Sequence, residues 1–272
     1  MAGGKGSRPA YAVPRALLSG NPPVAIKFVD MTGRLPAFLS LLAASACGQA
    51  PLPAEFERQE ERRRMVQGQL ETRGIQDRAV LRAMLQVPRH RFVPEPYTDM
   101  AYQDSALPIG WQQTISQPYI VAFMSAALEV RPGQKILEIG TGSGYQAAIL
   151  AELGAEVYSI EILQPLAERA AQTLEACGYS QIRLRLGDGY QGWPEEAPFD
   201  AVILTAAPDH VPEPLRDQVA EGGRLLLPLG DASQELILLT RQGDRFQEKR
   251  LAPVRFVPMT GEAQQPGERD RR

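Results

Sequence analysis

Apolar positions in this chain fall into short, bounded runs, and beyond about residue 135 these runs alternate with segments of helical period. Residues 135–139 form an apolar run between Pro132-Gly133 and a group of glycines, the pattern of a buried central strand. Gly140, Gly142 and Gly144 then make a turn into the Ala-rich apolar segment 146–153, which reads as a helix. The alternation continues as strand 156–160, helix 164–176, strand 182–186, strand 201–204, a short helix at 214–220 and strand 224–228. Segments 235–240, 246–251 and 254–257 read as antiparallel strands. Together they predict an α/β fold: a doubly wound, mostly parallel sheet with helices on both faces and antiparallel strands at its C-terminal end.

Ahead of the sheet the pattern predicts a helical appendage. Residues 55–73 are dense in charge, with Phe56, Met65, Val66 and Leu70 on one side, and read as an amphipathic helix ended by Gly74, its charged face in solvent. Asp77 is placed to cap a second helix over 78–86, which Pro88 stops. Pro94, Pro96 and Pro108 among aromatics make 89–110 irregular but packed. Polar Gln112, Gln113, Thr114, Ser116 and Gln117 crowd the entry of an apolar helix over 120–128. Ser116 reads as its N-cap with Pro118 in the first turn, and a cap hydroxyl beside amide protons is also an anion site, so both roles stand.

Residues 1–54 carry scattered prolines and glycines without a sustained period, and read as an irregular or disordered extension. Within it, 35–46 (LPAFLSLLAASA) follows Arg34 and precedes Cys47. This run is too short to span a membrane as a helix, but it resembles a signal-peptide core, and Ala44-Ser45-Ala46-Cys47 resembles a lipoprotein processing box if translation begins at Met31. The opposing reading is an unstructured extension from a mis-set start. The chain thus divides into the extension 1–54, a main folded domain 55–261 and a polar tail 262–272.

Composition narrows the chemistry. With 29 basic and 32 acidic residues the net charge is -3, which leaves no electrostatic footprint for nucleic acid. Cys47 and Cys177 fit neither a disulfide framework nor a metal cluster, and Cys177, next to Gly178, reads as a small semi-buried hydrophobe. His90 and His210 lack partners at ligand spacing, so no metal is expected.

The glycine turn G-T-G-S-G lacks the third glycine of a dinucleotide fingerprint and the lysine of a phosphate-binding loop, which favours a cofactor without phosphate. Glu161, just past the second strand, is placed to accept hydrogen bonds from both hydroxyls of a ribose. An adenosyl cofactor follows, and turn, strand and acid in register point to S-adenosylmethionine. Asp188, between Gly187 and Gly189 beyond the third strand, can accept from an adenine amino group; its other reading is a turn residue.

Five segments carry a resemblance: RFVPE at 91–95, PIGWQQTISQPYIVA at 108–122, LEIGTGSGYQAAILA at 137–151, GDGYQGWPEEAPFDAVILTAA at 187–207 and GGRLLLPLG at 222–230. From about Met65 to Gly261, roughly three quarters of its length, the chain resembles the protein-L-isoaspartate O-methyltransferases, and the TISQP segment is much more particular to that family than the glycine turn. The resemblance implies S-adenosylmethionine as co-substrate and isoaspartyl-containing proteins and peptides as partners; apart from it, no nucleic acid and no stable membrane partner are expected, and the protein is expected to be a monomer. It implies that Ser116, with Thr114 in the same loop, is the active-site hydroxyl, and that Glu138, Gly140, Gly142, Gly144, Glu161, Asp188 and Gly189 form the cofactor site. It further implies that the methyl ester cyclises spontaneously to a succinimide, which hydrolyses in part to normal aspartate. The remaining alternatives are a methyltransferase for another acceptor and a non-catalytic cofactor-binding adaptor. Because S-adenosylmethionine is made in the cytoplasm and one molecule is consumed per transfer, a cytoplasmic enzyme is expected; the alternative is a periplasmic protein or one lipid-anchored through Cys47.

Overall fold

The computed structural model describes residues 58–261, so the expectations for the extension 1–54, its run 35–47 and the tail 262–272 lie outside the described residues. The amphipathic segment begins as α1 (Gln59–Met65), continues as a π-helical turn over Val66–Leu70 and ends in a 3-10 turn whose C-cap is Gly74 at φ 89°. Met65, Val66 and Leu70 are buried as the pattern requires. Arg62 is buried as well, against the expectation of a wholly solvated charged face. Its Nη1 donates to the carbonyls of Leu85 and Gln86, so a cation fills the end of the next helix, α2 (Arg78–Gln86), where carbonyls lack partners inside the helix. At the other end of α2, the Asp77 carboxylate accepts from the amides of Ala79 at 2.8 Å and Val80 at 3.1 Å.

Inside the segment expected to be irregular there is a small hairpin of β1 (Leu107–Gly110) and β2 (Gln113–Ile115). Its two-residue loop, Trp111-Gln112, holds both residues at positive φ, 49° and 60°. That geometry suits the twist of a tight hairpin, but it usually calls for Asn-Gly, which is why the sequence hides it. Tertiary contacts supply what the turn residues lack: the Arg169 guanidinium stacks 5.3 Å from the Trp111 ring and donates to the carbonyl of Ile109. The apolar helix follows as α3 (Pro118–Leu128). Its N-cap is Gln117 rather than Ser116, because Pro118 takes the first helical position, and the cap makes no side-chain hydrogen bond to the helix. The Gln117 amide instead donates to the carbonyl and carboxylate of Asp104.

The remaining strands are β3 (Lys135–Ile139), β4 (Glu156–Glu161), β5 (Arg183–Leu186), β6 (Phe199–Leu204), β7 (Val219–Leu229), β8 (Gln234–Gln242) and β9 (Arg245–Val254). They form one seven-stranded sheet in the order β5-β4-β3-β6-β7-β8-β9. Pairings from β5 to β7 are parallel, and β8 and β9 add on antiparallel, as the alternation predicts. Helices α4 (Tyr145–Glu152), α5 (Gln164–Ala176) and α6 (Glu213–Asp217) fill the crossovers. One apolar cluster packs α2, α3 and α4 on one face of the sheet, and a second, around Phe199, Leu215 and Val219, covers the other.

Several boundaries differ, and two of them have clear local reasons. Helix α6 is shorter than 214–220 because Gln218 ties the chain down: its side chain joins Gln191 and Trp193 while its carbonyl accepts from Phe199. The strand expected at 254–257 does not form, since Val254 ends β9 and the Phe256 amide donates to the side chain of Gln234. The chain then turns inward, where Pro258 bridges Ala207 beside the end of β6. Among the described residues, no helix is long and apolar enough to cross a membrane.

Because Asp77 is exposed and serves mainly as the cap of α2, Asp77→Ala is expected to lower stability by ~1 kcal/mol, about 2–4 °C in thermal midpoint for a chain of this size. Thermal denaturation checks the shift, and a wild-type midpoint would show that the cap contributes nothing.

Candidate active site

The chain leaves β3, passes to β4 and β5 on one side, and returns to β6 on the other, so the carboxyl ends of β3, β4 and β6 frame a crevice at the switch point. The glycine turn forms its floor. Gly140 has φ 96°, and a Cβ there would stand 2.5 Å from Thr205 Oγ1, so only glycine lets the turn pass beside the end of β6. Thr205 fastens this approach by donating to the carbonyls of Ile139 and Gly140. From the other side, the amides of Gly140 and Thr141 donate to the Ile160 carbonyl at 2.9 and 3.2 Å. Gly189 packs equally closely, since a Cβ there would meet Ile139 Cγ2 at 2.3 Å.

Six of the sequence-derived candidates line one cavity: Thr114, Ser116, Gly140, Gly142, Glu161 and Gly189. Glu161, the last residue of β4, is 6% exposed. Its Oε2 accepts from the Gly142 amide at 2.8 Å and its Oε1 from the Leu163 amide at 3.0 Å. Each carboxylate oxygen keeps a second lone pair for a hydroxyl donor, which fits a ribose. A bare glycine floor beside a fixed acidic rim suits an adenosyl group.

The other three candidates lie around the cavity rather than on its wall. Gly144 is the N-cap of α4 and packs on Leu174, with 3.1 Å to a Cβ placed there. Asp188 sits at the head of the Gly189–Gln191 turn, where Oδ1 accepts from the Tyr190 amide at 2.9 Å, and Gly261 closes over its carboxylate. Glu138 lies fully buried in β3 beneath the turn. Its Oε2 meets Ser159 Oγ at 2.5 Å, and Ser159 Oγ meets Thr141 Oγ1 at 2.6 Å, so a polar chain links two strands to the glycine turn. Burial pushes the Glu138 carboxyl up to about 8; Ser159 opposes this and the nearby charge of Glu161 adds to it. Glu138 is therefore a neutral acid at pH 7 that holds the turn from below.

Ser116 stands at the end of β2, half-buried, where the cavity opens into a second groove. Thr114, Ser116 and Thr205 border both spaces. The groove is lined by Arg73, Tyr119, Phe123 and Phe256, among others. Tyr119 stacks on Phe123 with 5.8 Å between ring centroids, and the Arg73 guanidinium lies 3.6 Å from the Tyr119 centroid. Sequence reasoning missed Thr205, Thr141 and Ser159, which are ordinary strand-end hydroxyls without a motif of their own. It also missed the 257–260 segment that walls the cavity, which only chain return brings there. Among the described residues, no group of three or more His, Cys, Asp or Glu could hold a metal ion.

The family model for protein-L-isoaspartate(D-aspartate) O-methyltransferase matches residues 60–264. Similar proteins include a protein-L-isoaspartate O-methyltransferase of Gloeobacter violaceus, 59% identical over 203 residues, covering 74% of this chain and 99% of the relative. Another, from Opitutus terrae, is 55% identical over 229 residues, covering 83% of this chain and 98% of the relative. Among solved structures, a protein-L-isoaspartate O-methyltransferase aligns with TM-score 0.68 and 28% identity over 74% of this chain and 66% of the other. A Plasmodium falciparum protein assigned to the same activity, solved in complex with S-adenosyl-L-homocysteine, aligns with TM-score 0.65 and 27% identity over 72% of this chain and 96% of the other.

The raised Glu138 carboxyl has a pH consequence. A group whose folded value lies above its unfolded one stabilises the fold fully at low pH, and that contribution is lost as pH rises toward about 8. Glu138→Gln never ionises, so its melting temperature relative to wild type is expected to rise between pH 5 and pH 9 (both roughly). Melting curves across that range test this, and a pH-independent difference would mean that Glu138 is already charged at neutrality.

Proposed function

The chain belongs to the protein-L-isoaspartate(D-aspartate) O-methyltransferase family, and from that premise we propose that it transfers the methyl group of S-adenosylmethionine to the α-carboxylate of L-isoaspartyl residues. One observation carries the assignment of sides: the hydroxyl-bearing residues Thr114 and Ser116 border both the glycine-floored cavity and the open groove. A small cofactor fits the first, and a peptide needs the second, since a damaged residue arrives attached to a chain.

When bound, S-adenosylmethionine supplies a methyl group already activated on its sulfonium. The acceptor carboxylate is ionised at neutral pH, so this chain has no proton to remove. What remains is alignment, a term worth ~7–11 kcal/mol in well-oriented systems. In this reading the backbone turn Gly140–Gly144 admits the cofactor, Glu161 accepts from its ribose, and Asp188 serves the adenine end. Ser116 Oγ donates to the carboxylate across the shared wall, with Thr114 beside it. No hydrogen bond to another described residue engages either hydroxyl, so both can serve a ligand.

The test is methyl transfer to an isoaspartyl peptide beside its normal aspartyl twin. Only the isoaspartyl form is expected to accept, and equal labelling would sink the substrate assignment. Ser116→Ala should lower turnover by about tenfold to a hundredfold, the equivalent of ~1.5–3 kcal/mol for a hydrogen bond to a charged group, with cofactor affinity nearly intact. Glu161→Ala should do the converse and weaken cofactor binding, because the ribose loses a charged acceptor. Calorimetry and turnover measured on both variants separate the two sides, and a common phenotype would refute the division.

We also propose a cytoplasmic location, supported by the supply of its co-substrate there. Fractionation with N-terminal sequencing checks it; a mature form beginning at Cys47 in the envelope would overturn it.

A further inference from the structure

Arg89 is fully buried and, among the described residues, pairs with no carboxylate. A guanidinium without a counter-ion is costly to bury, so the dipoles around it must be placed well enough to hold it. They come from three separate segments. Nε donates to the carbonyl of Ala101 at 2.7 Å, Nη2 donates to the carbonyl of Ser116 at 2.7 Å, and the guanidinium carbon lies 4.8 Å from the ring centroid of Tyr145. Ala101 belongs to the segment between the helical appendage and β1, Ser116 ends the acceptor loop, and Tyr145 opens α4 just past the glycine turn and lines the cofactor cavity. Burial lowers the Arg89 value only to about 10, so the side chain remains charged at neutral pH.

This arrangement uses the feature that separates arginine from lysine. A planar fork can serve two carbonyls in fixed directions at once, whereas an ammonium is a single point. The Ser116 carbonyl has no neighbour in the β1–β2 ladder, where pairing ends at Ile115, and α3 begins only at Pro118. Between those two elements, Arg89 supplies the side-chain hydrogen bond that fastens the backbone of Ser116. We propose that Arg89 is the positioning residue of the acceptor loop: by clamping the Ser116 carbonyl beside Tyr145, it sets where Ser116 Oγ meets the carboxylate to be methylated. The inference rests on the assignment of Ser116 to the acceptor side.

Arg89→Lys in the full chain keeps the charge and removes the fork. The expected result is a fall in kcat of about tenfold with isoaspartyl peptide, while KM for S-adenosylmethionine stays within about twofold and melting remains cooperative. Hydrogen exchange should quicken in residues 113–117 and not in the central strands. Made in the Ser116→Ala background, Arg89→Lys should cost less than about twofold, because the hydroxyl it places is already gone. Arg89→Gln, a planar neutral donor, carries the same cycle if the lysine variant does not fold. Full additivity of the two substitutions, an unchanged kcat, or a parallel loss of kcat and cofactor affinity would each overturn the proposal and leave Arg89 a plain core staple. The reading of Ser116 itself fails separately, through wild-type turnover in Ser116→Ala alone.

Discussion

The close approach of bare backbone to strand ends governs this site. Gly140 passes the Thr205 hydroxyl, and Gly189 passes Ile139, at separations that no Cβ could occupy. These contacts draw the ends of β3, β6 and the loop after β5 together and leave a shallow floor of main chain instead of side chains. In the proposed reading an adenosyl group lies against peptide planes, with Glu161, held by the Gly142 amide, as a fixed charge at the rim. Substituting any larger residue there would spread the ends of the strands apart, and the cavity would change shape along with the fold.

A floor made of glycine is intrinsically floppy, and the structure compensates from below and from both sides. The Ile160 carbonyl holds two amides of the turn, Thr205 holds two carbonyls, and the Glu138–Ser159–Thr141 chain holds the hydroxyl between them. Glu138 can sit there because it is neutral, since a carboxylate with so few donors would be expensive to bury. The same logic recurs beside Ser116 with a cation, Arg89, which binds backbone carbonyls instead of a counter-ion. A reaction whose nucleophile and leaving group are both ready-made asks mainly for such rigidity. The groove beside it, with its aromatic shelf and Arg73, is the side that the proposed function assigns to the peptide.

Much of this was legible in the sequence. Short, mostly apolar runs bounded by turn residues locate the central strands β3, β4 and β6, because such strands are covered on both faces and the few polar residues within them, such as Glu138 and Ser159, must find partners there. Asp77 and Gly74 marked helix ends because capping is local chemistry. The glycine turn and Glu161 could be read together because a short crossover brings the ends of consecutive strands to one edge.

What depended on contacts distant in sequence was not legible. The β1–β2 hairpin lacks turn residues that announce it and is held by Arg169, 58 positions beyond Trp111 (169 − 111). Gln117 displaced Ser116 as the cap of α3 because Pro118 claimed the first helical position, and Ser116 instead gave its carbonyl to Arg89. Arg62 and Arg89 look like surface charges in a one-dimensional pattern. Only the tertiary structure brings unpaired carbonyls to them, and that is what lets a guanidinium leave water.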